Sequence, residues 1–437
     1  MTHHALHEPD AISRTLAPLA RLWRSYWIVP ALLMLLILGI TIGLRWADAL
    51  GLSGWLHDHG LSLVRDGDAM TDWATAITGA NAAIATLYVS ITLIVLTLAA
   101  GNLGVRLIDR WTGRAFIRAT LGIFLGALAA SAFFLASLDA DAPPATLPHA
   151  SFGFIAILFL FSLAWLAGAL NDLADAVFVD RTIARIAKDV IAKPPPDFER
   201  ILAPDWPDAT PVRAPGDGYI VTCDIARLSE IARDCGTFIR LDRSSGDHLI
   251  EGQAYVVVRD AVDEDCIEAI HRCLTLGQTR SDQNGIAYRI RLLVEIAARA
   301  LSPGINDFYT ARCVVDALAS IMLHQRGRLT REGQLLVEVP QVICPTASFA
   351  AIFDAPVKAL RQSAAAYPAI TVRAIERFGS AAAIADDTDF TAVMRAYAAD
   401  IAAHGSARAE TESDCDDIAA ALATAFGPKP AGLRVAG

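Results

Sequence analysis

The chain contains 437 residues, of which 54% are hydrophobic, and it carries a formal net charge of -10. Its mean hydropathy is +0.41. Binding to nucleic-acid phosphates needs clustered cations, so the acidic balance argues against a nucleic-acid partner. The hydropathy points instead to a chain that lies partly in lipid.

Long apolar stretches without a charged residue occur only in the N-terminal part of the chain. Each has roughly the 17–20 residues that a helix needs to cross about 30 Å of hydrocarbon. They predict a four-helix transmembrane domain over residues 28–170, after a cytoplasmic N-terminal segment of residues 1–27. The lipid bilayer is therefore a predicted partner of the chain. The four stretches are 28–44, 82–100, 119–138 and 152–170.

The charges between the spans predict the orientation. Basic residues precede the first span, fill the loop between the second and third spans and follow the fourth span, whereas the other two loops are acidic or lack basic residues. The positive-inside rule then places both termini in the cytoplasm, so we expect the spans to lie in the cytoplasmic (inner) membrane. The basic residues near the first three spans are Arg14, Arg21, Arg24, Arg106, Arg110, Arg114 and Arg118.

The second span carries an unusual number of hydroxyl and amide side chains. One interpretation is helix packing, and the other is a polar stripe that lines a path through the membrane. The third span has small residues at Gly122, Gly126 and Ala130, which favour close helix approach. The candidate stripe consists of Thr78, Asn81, Thr86, Ser90 and Thr97.

The remainder of the chain is predicted to be a cytoplasmic α+β domain. A juxtamembrane helix and a Pro-rich linker take residues 171–217. Turn and strand signals around the Ser-Gly-Asp turn predict a small β-barrel-like module over 218–262. Residues 263–427 have mostly helical spacing, and 428–437 is expected to be a frayed tail.

One αα-hairpin with a tight connector is expected in the helical part. Gly304 is predicted to stop the first helix in a left-handed conformation, and Asn306 or Asp307 to cap the second. Arg291, Glu295 and Arg299 follow i, i+4, i+8 spacing and share one helix face. A structural salt-bridge ladder is favoured over an anion site there. The connector itself reads Ser302, Pro303, Gly304, Ile305, Asn306, Asp307.

Segment 289–311, RIRLLVEIAARALSPGINDFYTA, resembles the hallmark of a bacterial family of predicted membrane proteins, domain of unknown function 2254. Segments 89–110 and 121–126 resemble its second and third spans. The resemblance implies four N-terminal spans followed by a cytoplasmic domain, and no activity. The chain departs from the family at Phe308, where Pro is frequent, and at Asn171 and Asp172, where a His pair is frequent.

Enzyme signatures are lacking in the sequence, which has no P-loop, no nucleotide-binding glycine motif and no zinc-protease motif. We therefore expect no enzymatic activity, no metal and no cofactor. The external sequence His57-Asp58-His59 is more typical of a solvated loop than of a metal site. All seven cysteines follow the spans, and none has CxxC spacing, which disfavours a thiolate metal or redox site.

Two functional hypotheses remain open after the sequence is read. One is a homo-oligomeric channel-like or transport protein with a cytoplasmic regulatory domain, since the second span offers a polar stripe. The other is a membrane-anchored scaffold or regulator whose cytoplasmic tail binds a protein partner. The sequence favours the first slightly over the second.

Overall fold

A computed structural model describes residues 27–103, 115–278 and 285–427. The chain divides into two compact units, Met1–Phe178 and Val179–Gly437. Each unit has its own core. Most of the basic residues named for the predicted orientation, nearly all of the N-terminal segment and the C-terminal residues 428–437, expected to be frayed, lie outside the described residues.

The first unit is entirely helical where it is described. Four of its helices are long and apolar enough to cross a membrane, which confirms the predicted number of spans. The second of them begins 15 residues before the apolar stretch 82–100, where Asp66 caps the amide of Ala69. The helices are α1 (Ile28–Ala47), α2 (Ser53–Asp58), α3 (Gly67–Leu103), α4 (Ala115–Ala136) and α5 (His149–Val177), with a π-helical turn at Asp48–Leu52.

The first and third spans, α1 and α4, approach each other most closely at two glycines. A Cβ at Gly122 would lie 2.8 Å from Cβ of Leu33 and 3.0 Å from Cα of Pro30. A Cβ at Gly126 would lie 2.6 Å from Cδ1 of Ile37. Small residues at such positions let helix backbones meet in a membrane, so the small-residue face of the third span serves helix packing.

Large apolar side chains both fill the bundle and cover its outside. Tyr88 and Phe124 pack edge-to-face at 5.3 Å in one core cluster, and Phe134 contacts Phe152 in another. The outward side chains include Leu36 at 59% exposure, a value typical of a lipid-facing surface and costly in water.

The second unit begins with an amphipathic helix, α6 (Val179–Ile191), whose apolar face includes Ile183 and Ile186. The sequence predicts that the fourth span continues into this helix. In the structure Phe178 has extended backbone angles, φ -78 and ψ 102, which interrupt the helix between α5 and α6.

Nine strands of the second unit form two open sheets. The six-stranded sheet has the order β1-β8-β9-β4-β6-β2, and the three-stranded sheet has the order β5-β3-β7. All pairings are antiparallel except that of β4 with β9. The strands are β1 (Glu199–Leu202), β2 (Thr210–Arg213), β3 (Gly218–Cys223), β4 (Ile239–Leu241), β5 (His248–Leu249), β6 (Ala254–Val258), β7 (Leu274–Gly277), β8 (Gln334–Val339) and β9 (Val342–Ile343).

The predicted small β-barrel-like module is wrong, because the strands of 218–262 divide between the two sheets and neither sheet closes in the described residues. Turn residues at Glu251 and Gly252 split the expected strand from 249 to 258 into β5 and β6. The Pro-rich segment contributes β1 and β2 as the edge strands of the larger sheet, and an edge position tolerates Pro211, which has no N–H to donate.

Helices flank the strands and form the rest of the second unit. Helices α7 and α8 pack with the strands around a core that includes Tyr255 and Ile270. The predicted αα-hairpin is formed by α9 and α10. The helices are α7 (Ile225–Asp234), α8 (Glu264–Arg272), α9 (Gly285–Ala300), α10 (Phe308–His324), α11 (Phe349–Ala364), α12 (Pro368–Ala385), α13 (Thr388–Ser406) and α14 (Glu412–Phe426).

Substitution of Gly122 by Val is expected to destabilise the first unit, because the added methyl groups would overlap the backbone of α1. Overpacking of this kind costs about 1–3 kcal/mol. Gly168→Val on the fourth span is the matched control, since no atom lies within 4 Å of its added Cβ. Thermal unfolding of the full chain in detergent measures the difference, and equal midpoints for the two variants would contradict the close approach.

Candidate functional site

The residues of the polar stripe predicted on the second span lie in different environments. Asn81 is 2% exposed and points into the bundle, whereas Thr86, Ser90 and Thr97 are exposed on the outside of the unit. Thr78 is half-buried, and its hydroxyl donates back to the carbonyl oxygen of Ala74 at 2.7 Å. The structure therefore separates one inward amide from an outward hydroxyl face.

Hydrogen bonds of Asn81 connect the second span to the third. Its Nδ2 lies 3.3 Å from both the carbonyl oxygen of Ala127 and Oγ of Ser131. Its Oδ1 is buried, with no hydrogen-bond partner among the described residues. Nearer the start of the third span, Oγ1 of Thr120 accepts a hydrogen bond from Nε1 of Trp165 on the fourth span at 2.9 Å. Polar side chains inside the bundle thus connect the third span to both the second and the fourth.

Asp48 forms the most extensive buried polar contact of the first unit. It is 4% exposed at the end of the first span, and its carboxylate accepts from the amides of Ala150 and Ser151 at 3.0 and 2.9 Å. The hydroxyls of Ser151 and Ser53 also donate to it, at 2.6 and 2.9 Å. A carboxylate at a helix N-terminus accepts hydrogen bonds from the free amides of the first turn, and its negative charge interacts favourably with the helix dipole. Asp48 thereby fixes the start of the fourth span to the end of the first.

Sequence reasoning missed this role of Asp48, because the residue counted only as one of several acids in an external loop. The available signal was its position directly after an apolar span, 101 positions before the fourth helix begins. That signal is weak, since only the tertiary fold brings the two helix ends together.

The connector of the αα-hairpin contains the capping residue that the sequence predicts. Oδ1 of Asp307 accepts from the amide of Thr310 at 3.1 Å, and Oδ2 accepts from the hydroxyl of Thr310 at 2.6 Å. The left-handed residue is Asn306, with φ 51, and not Gly304, so that part of the prediction is wrong. Asparagine tolerates this conformation because its short side chain can hydrogen-bond locally.

The hallmark cations lie near carboxylates. Arg299 lies 3.8 Å from Glu295 on the same helix, as one step of the expected ladder. Arg291 lies 3.8 Å from Asp247, the acid of the Ser-Gly-Asp turn. Asp247 also accepts from the amide of Ser244 at 3.0 Å. Two sequence motifs that are 44 positions apart are therefore in contact.

The connector is anchored on one side and exposed on the other. The hydroxyl of Tyr367 donates to the carbonyl oxygen of Leu301 at 2.7 Å, and its ring meets Phe308 edge-on. Ile305, Phe308 and Tyr309 remain exposed, with Tyr309 at 78%. Ser302 closes the end of α9 by donating to the carbonyl oxygen of Arg299 at 2.7 Å, while Pro303 and Gly304 are exposed.

A cleft of about 380 Å³ in the second unit contains a buried guanidinium. Arg328 is 8% exposed, and it donates to Oε1 of Gln325 at 3.0 Å and to the carbonyl oxygen of Ala347 at 3.1 Å. Burial lowers the pKa of Arg328, while the nearby Glu338 acts in the opposite direction. A buried guanidinium with spare donors can hold an anion. The other charged or hydroxyl-bearing lining residues are Lys193, Ser244, Ser245, Glu338 and Thr346.

Metal-ligating clusters are not found in the described residues, where no group of three or more His, Cys, Asp or Glu could hold an ion. His57, the first residue of the His57-Asp58-His59 sequence, stacks on His149 with ring centroids 5.9 Å apart. His59 contacts the carbonyl oxygen of Trp55 through Nδ1 at 2.8 Å. These imidazoles have local packing contacts.

The fold defines a membrane protein with four apolar helices and a separate α/β unit. The chain belongs to the predicted membrane protein family of domain of unknown function 2254, whose model matches residues 23–379. It is similar to uncharacterized proteins of Mycobacterium bovis and Mycobacterium tuberculosis, at 27% identity over 365 residues in each case. These alignments cover 75% of this chain and 67% of each relative. No solved structure matches.

Replacement of Asp48 by Ala is expected to lower the stability of the first unit by about 1–3 kcal/mol, because buried amides and hydroxyls lose their acceptor. Asp58→Ala removes a carboxylate from an exposed position ten residues further along the chain and is the control. The thermal midpoint of the full chain in detergent reports the effect. If the thermal midpoint falls equally in both variants, the buried contacts of Asp48 do not contribute specifically to the stability of the first unit.

Asp307→Ala is expected to cost about 1 kcal/mol, since the first turn of α10 loses its cap. Asp307→Asn keeps a capping oxygen and should retain most of the stability. Hydrogen exchange at the amide of Thr310 tests this directly, with faster exchange in the Ala variant alone. Unchanged exchange in the Ala variant would refute the assignment of the cap.

Proposed function

We propose that the protein acts as a homo-oligomeric, channel-like membrane protein. In this proposal, copies of the first unit surround a path that the second span lines, and the second unit is a regulatory domain in the cytoplasm of a bacterium. The role is non-enzymatic. The proposal rests on the outward hydroxyl face of the second span.

That face has a regular position on α3. Thr86, Ser90 and Thr97 are separated by four and seven positions, which places them on one side of a helix, and all three are exposed. Hydrocarbon offers no hydrogen-bond partner to hydroxyl side chains on an outer surface, whereas such side chains promote contact between helices in a membrane. Association of several copies through this face would give the hydroxyls either a partner helix or water.

The inside of one copy supports a path between copies rather than through a single bundle. Tyr88, Phe124 and Phe134 are each no more than 2% exposed, and the amide of Asn81 is hydrogen-bonded across to the third span. The four apolar stretches contain no Asp, Glu, Lys or Arg. A proton relay or charge-coupled pump would lack its usual residue, which favours passive passage of a small solute or ion.

The regulatory role of the second unit is supported by the cleft at Arg328. A small anion that enters it would meet two cationic groups, the buried guanidinium and the ammonium group of Lys193, against one carboxylate, that of Glu338. The hydroxyls of Ser244 and Ser245 offer further donors. Binding there would contact the start of α9, the helix that carries the hallmark. Binding of a ligand in this cleft can therefore favour one position of α9 over another, which is what regulation through the second unit requires.

Removal of the hydroxyls tests the path. The double substitution Thr86→Val and Ser90→Ala changes the shape of the side chains little and is expected to reduce both oligomer formation and solute flux through liposomes. Ile157→Ala is the control, since Ile157 is an exposed apolar residue of the fourth span, at 67%. Native mass spectrometry gives the oligomeric state. A wild-type protein that is monomeric in detergent and supports no flux would refute the proposal.

The second candidate is a membrane-anchored scaffold whose C-terminal unit binds a protein partner. It is favoured by three exposed apolar side chains that lie close together in the chain, Ile305 in the connector and Phe308 and Tyr309 at the start of α10. An oligomer that transports nothing, together with partner capture that Tyr309→Ser abolishes, would select this function over the channel.

A further inference from the structure

Two cysteines of the second unit lie in contact although 31 positions separate them. Sγ of Cys235 is 2.8 Å from Sγ of Cys266. A disulfide bond is about 2.05 Å long, so the sulfur atoms need to approach by less than about 1 Å to bond. The absence of CxxC spacing, from which the sequence disfavours a redox site, does not exclude this pair, because the fold brings the two thiols together.

Local hydrogen bonds fix both thiols in place. Cys235 ends α7, and its amide donates to the carbonyl oxygen of Ile231 at 2.9 Å. Cys266 lies in the first turn of α8, and its amide donates to Oδ1 of Asp263 at 2.9 Å. The helix termini that carry the two thiols are therefore held by their own backbone contacts.

The two thiols differ in access. Cys235 is exposed, whereas Cys266 is 4% exposed and belongs to the core of the unit. Burial raises the pKa of the Cys266 thiol to about 12, and the neighbouring Cys235 adds to the effect. A small oxidant can therefore reach Cys235 first, while Cys266 is placed to react second.

The remaining cysteines are less suited to this chemistry. Burial raises the pKa of Cys223 and Cys344 to about 12 and that of Cys273 and Cys313 to about 11. None of these four thiols is exposed, whereas Cys235 is, so a small oxidant reaches Cys235 more readily. Cys415 is half-buried, and its nearest polar contact is a carbonyl oxygen of Ser406 at 3.7 Å.

We propose that Cys235 and Cys266 form a redox-modifiable dithiol whose co-substrate is a low-molecular-weight disulfide. The Cys235 thiolate attacks one sulfur of that disulfide, forms a mixed disulfide and releases one small thiolate. Cys266 then loses its proton and attacks Sγ of Cys235, which releases the second small thiolate. Two protein thiols are oxidised to one disulfide, one small disulfide is reduced to two thiols, and the two protons pass to the released thiolates.

The new bond would restrict the architecture of the second unit. It would join the end of α7 to the start of α8 and close a loop that contains β4 and β6, two paired strands of the six-stranded sheet. Closing a loop of this length reduces the entropy of the unfolded chain. Oxidation should therefore stabilise the second unit, whether or not the protein forms a channel.

Oxidation of the reduced full chain in detergent by glutathione disulfide tests the proposal. After alkylation of the remaining thiols and tryptic digestion, mass spectrometry should detect peptide 234–240 linked to peptide 260–272. Two thiols per chain should be lost before any other cysteine reacts, and the thermal midpoint should rise. Cys235→Ser should abolish both the linked peptides and the rise, and its exposed position makes it the variant that keeps the fold.

Cys415→Ser is the matched control, because it removes a half-buried thiol elsewhere and should leave the linked peptides unchanged. Three results would overturn the proposal: a mixed disulfide at Cys235 that never resolves, linked peptides that join two chains, or faster oxidation of another cysteine. The midpoint of the reduced Cys235→Ser variant should match that of the reduced wild type, which separates the effect of the bond from that of the substitution.

Discussion

The close approach of the first and third spans is the constraint on which the membrane unit depends. Lipid gives no hydrophobic driving force between helices, so van der Waals contact and a few hydrogen bonds must hold the bundle. Gly122 and Gly126 permit that contact, because any side chain there would meet the atoms of α1. Asn81 then attaches the second span to the third, and Asp48 attaches the fourth to the first. One close helix contact and two polar contacts thus connect all four spans.

The second unit is held by a different balance, in which a buried apolar core supplies most of the favourable free energy. β1 and β2 are the edge strands of its six-stranded sheet, so the Pro-rich segment is part of that sheet rather than only a connection. The Arg291–Asp247 contact links the hallmark helix to the Ser-Gly-Asp turn. The hallmark helix therefore has a fixed neighbour in the strand region, and its first residues also line the cleft at Arg328.

Local pattern explains which features the sequence could predict. Runs of apolar residues gave the four spans, and i, i+4 spacing with a capping acid gave the hairpin of α9 and α10, including Asp307. The left-handed residue was misassigned, because Gly304 and Asn306 can both adopt that conformation and the choice depends on how the connector closes. The barrel-like module was misassigned for a similar reason, since strand signals do not specify which strands pair.

The sequence by itself determined the four apolar helices and the family, because hydropathy and the hallmark are properties of contiguous residues. Only the tertiary structure decided which side chains meet. It turned Asn81 inward while Thr86 and Ser90 faced outward, and it placed Asp48 on the start of a helix distant in the chain. It also set Cys235 against Cys266. Such contacts depend on helix rotation and chain path, which no local spacing encodes.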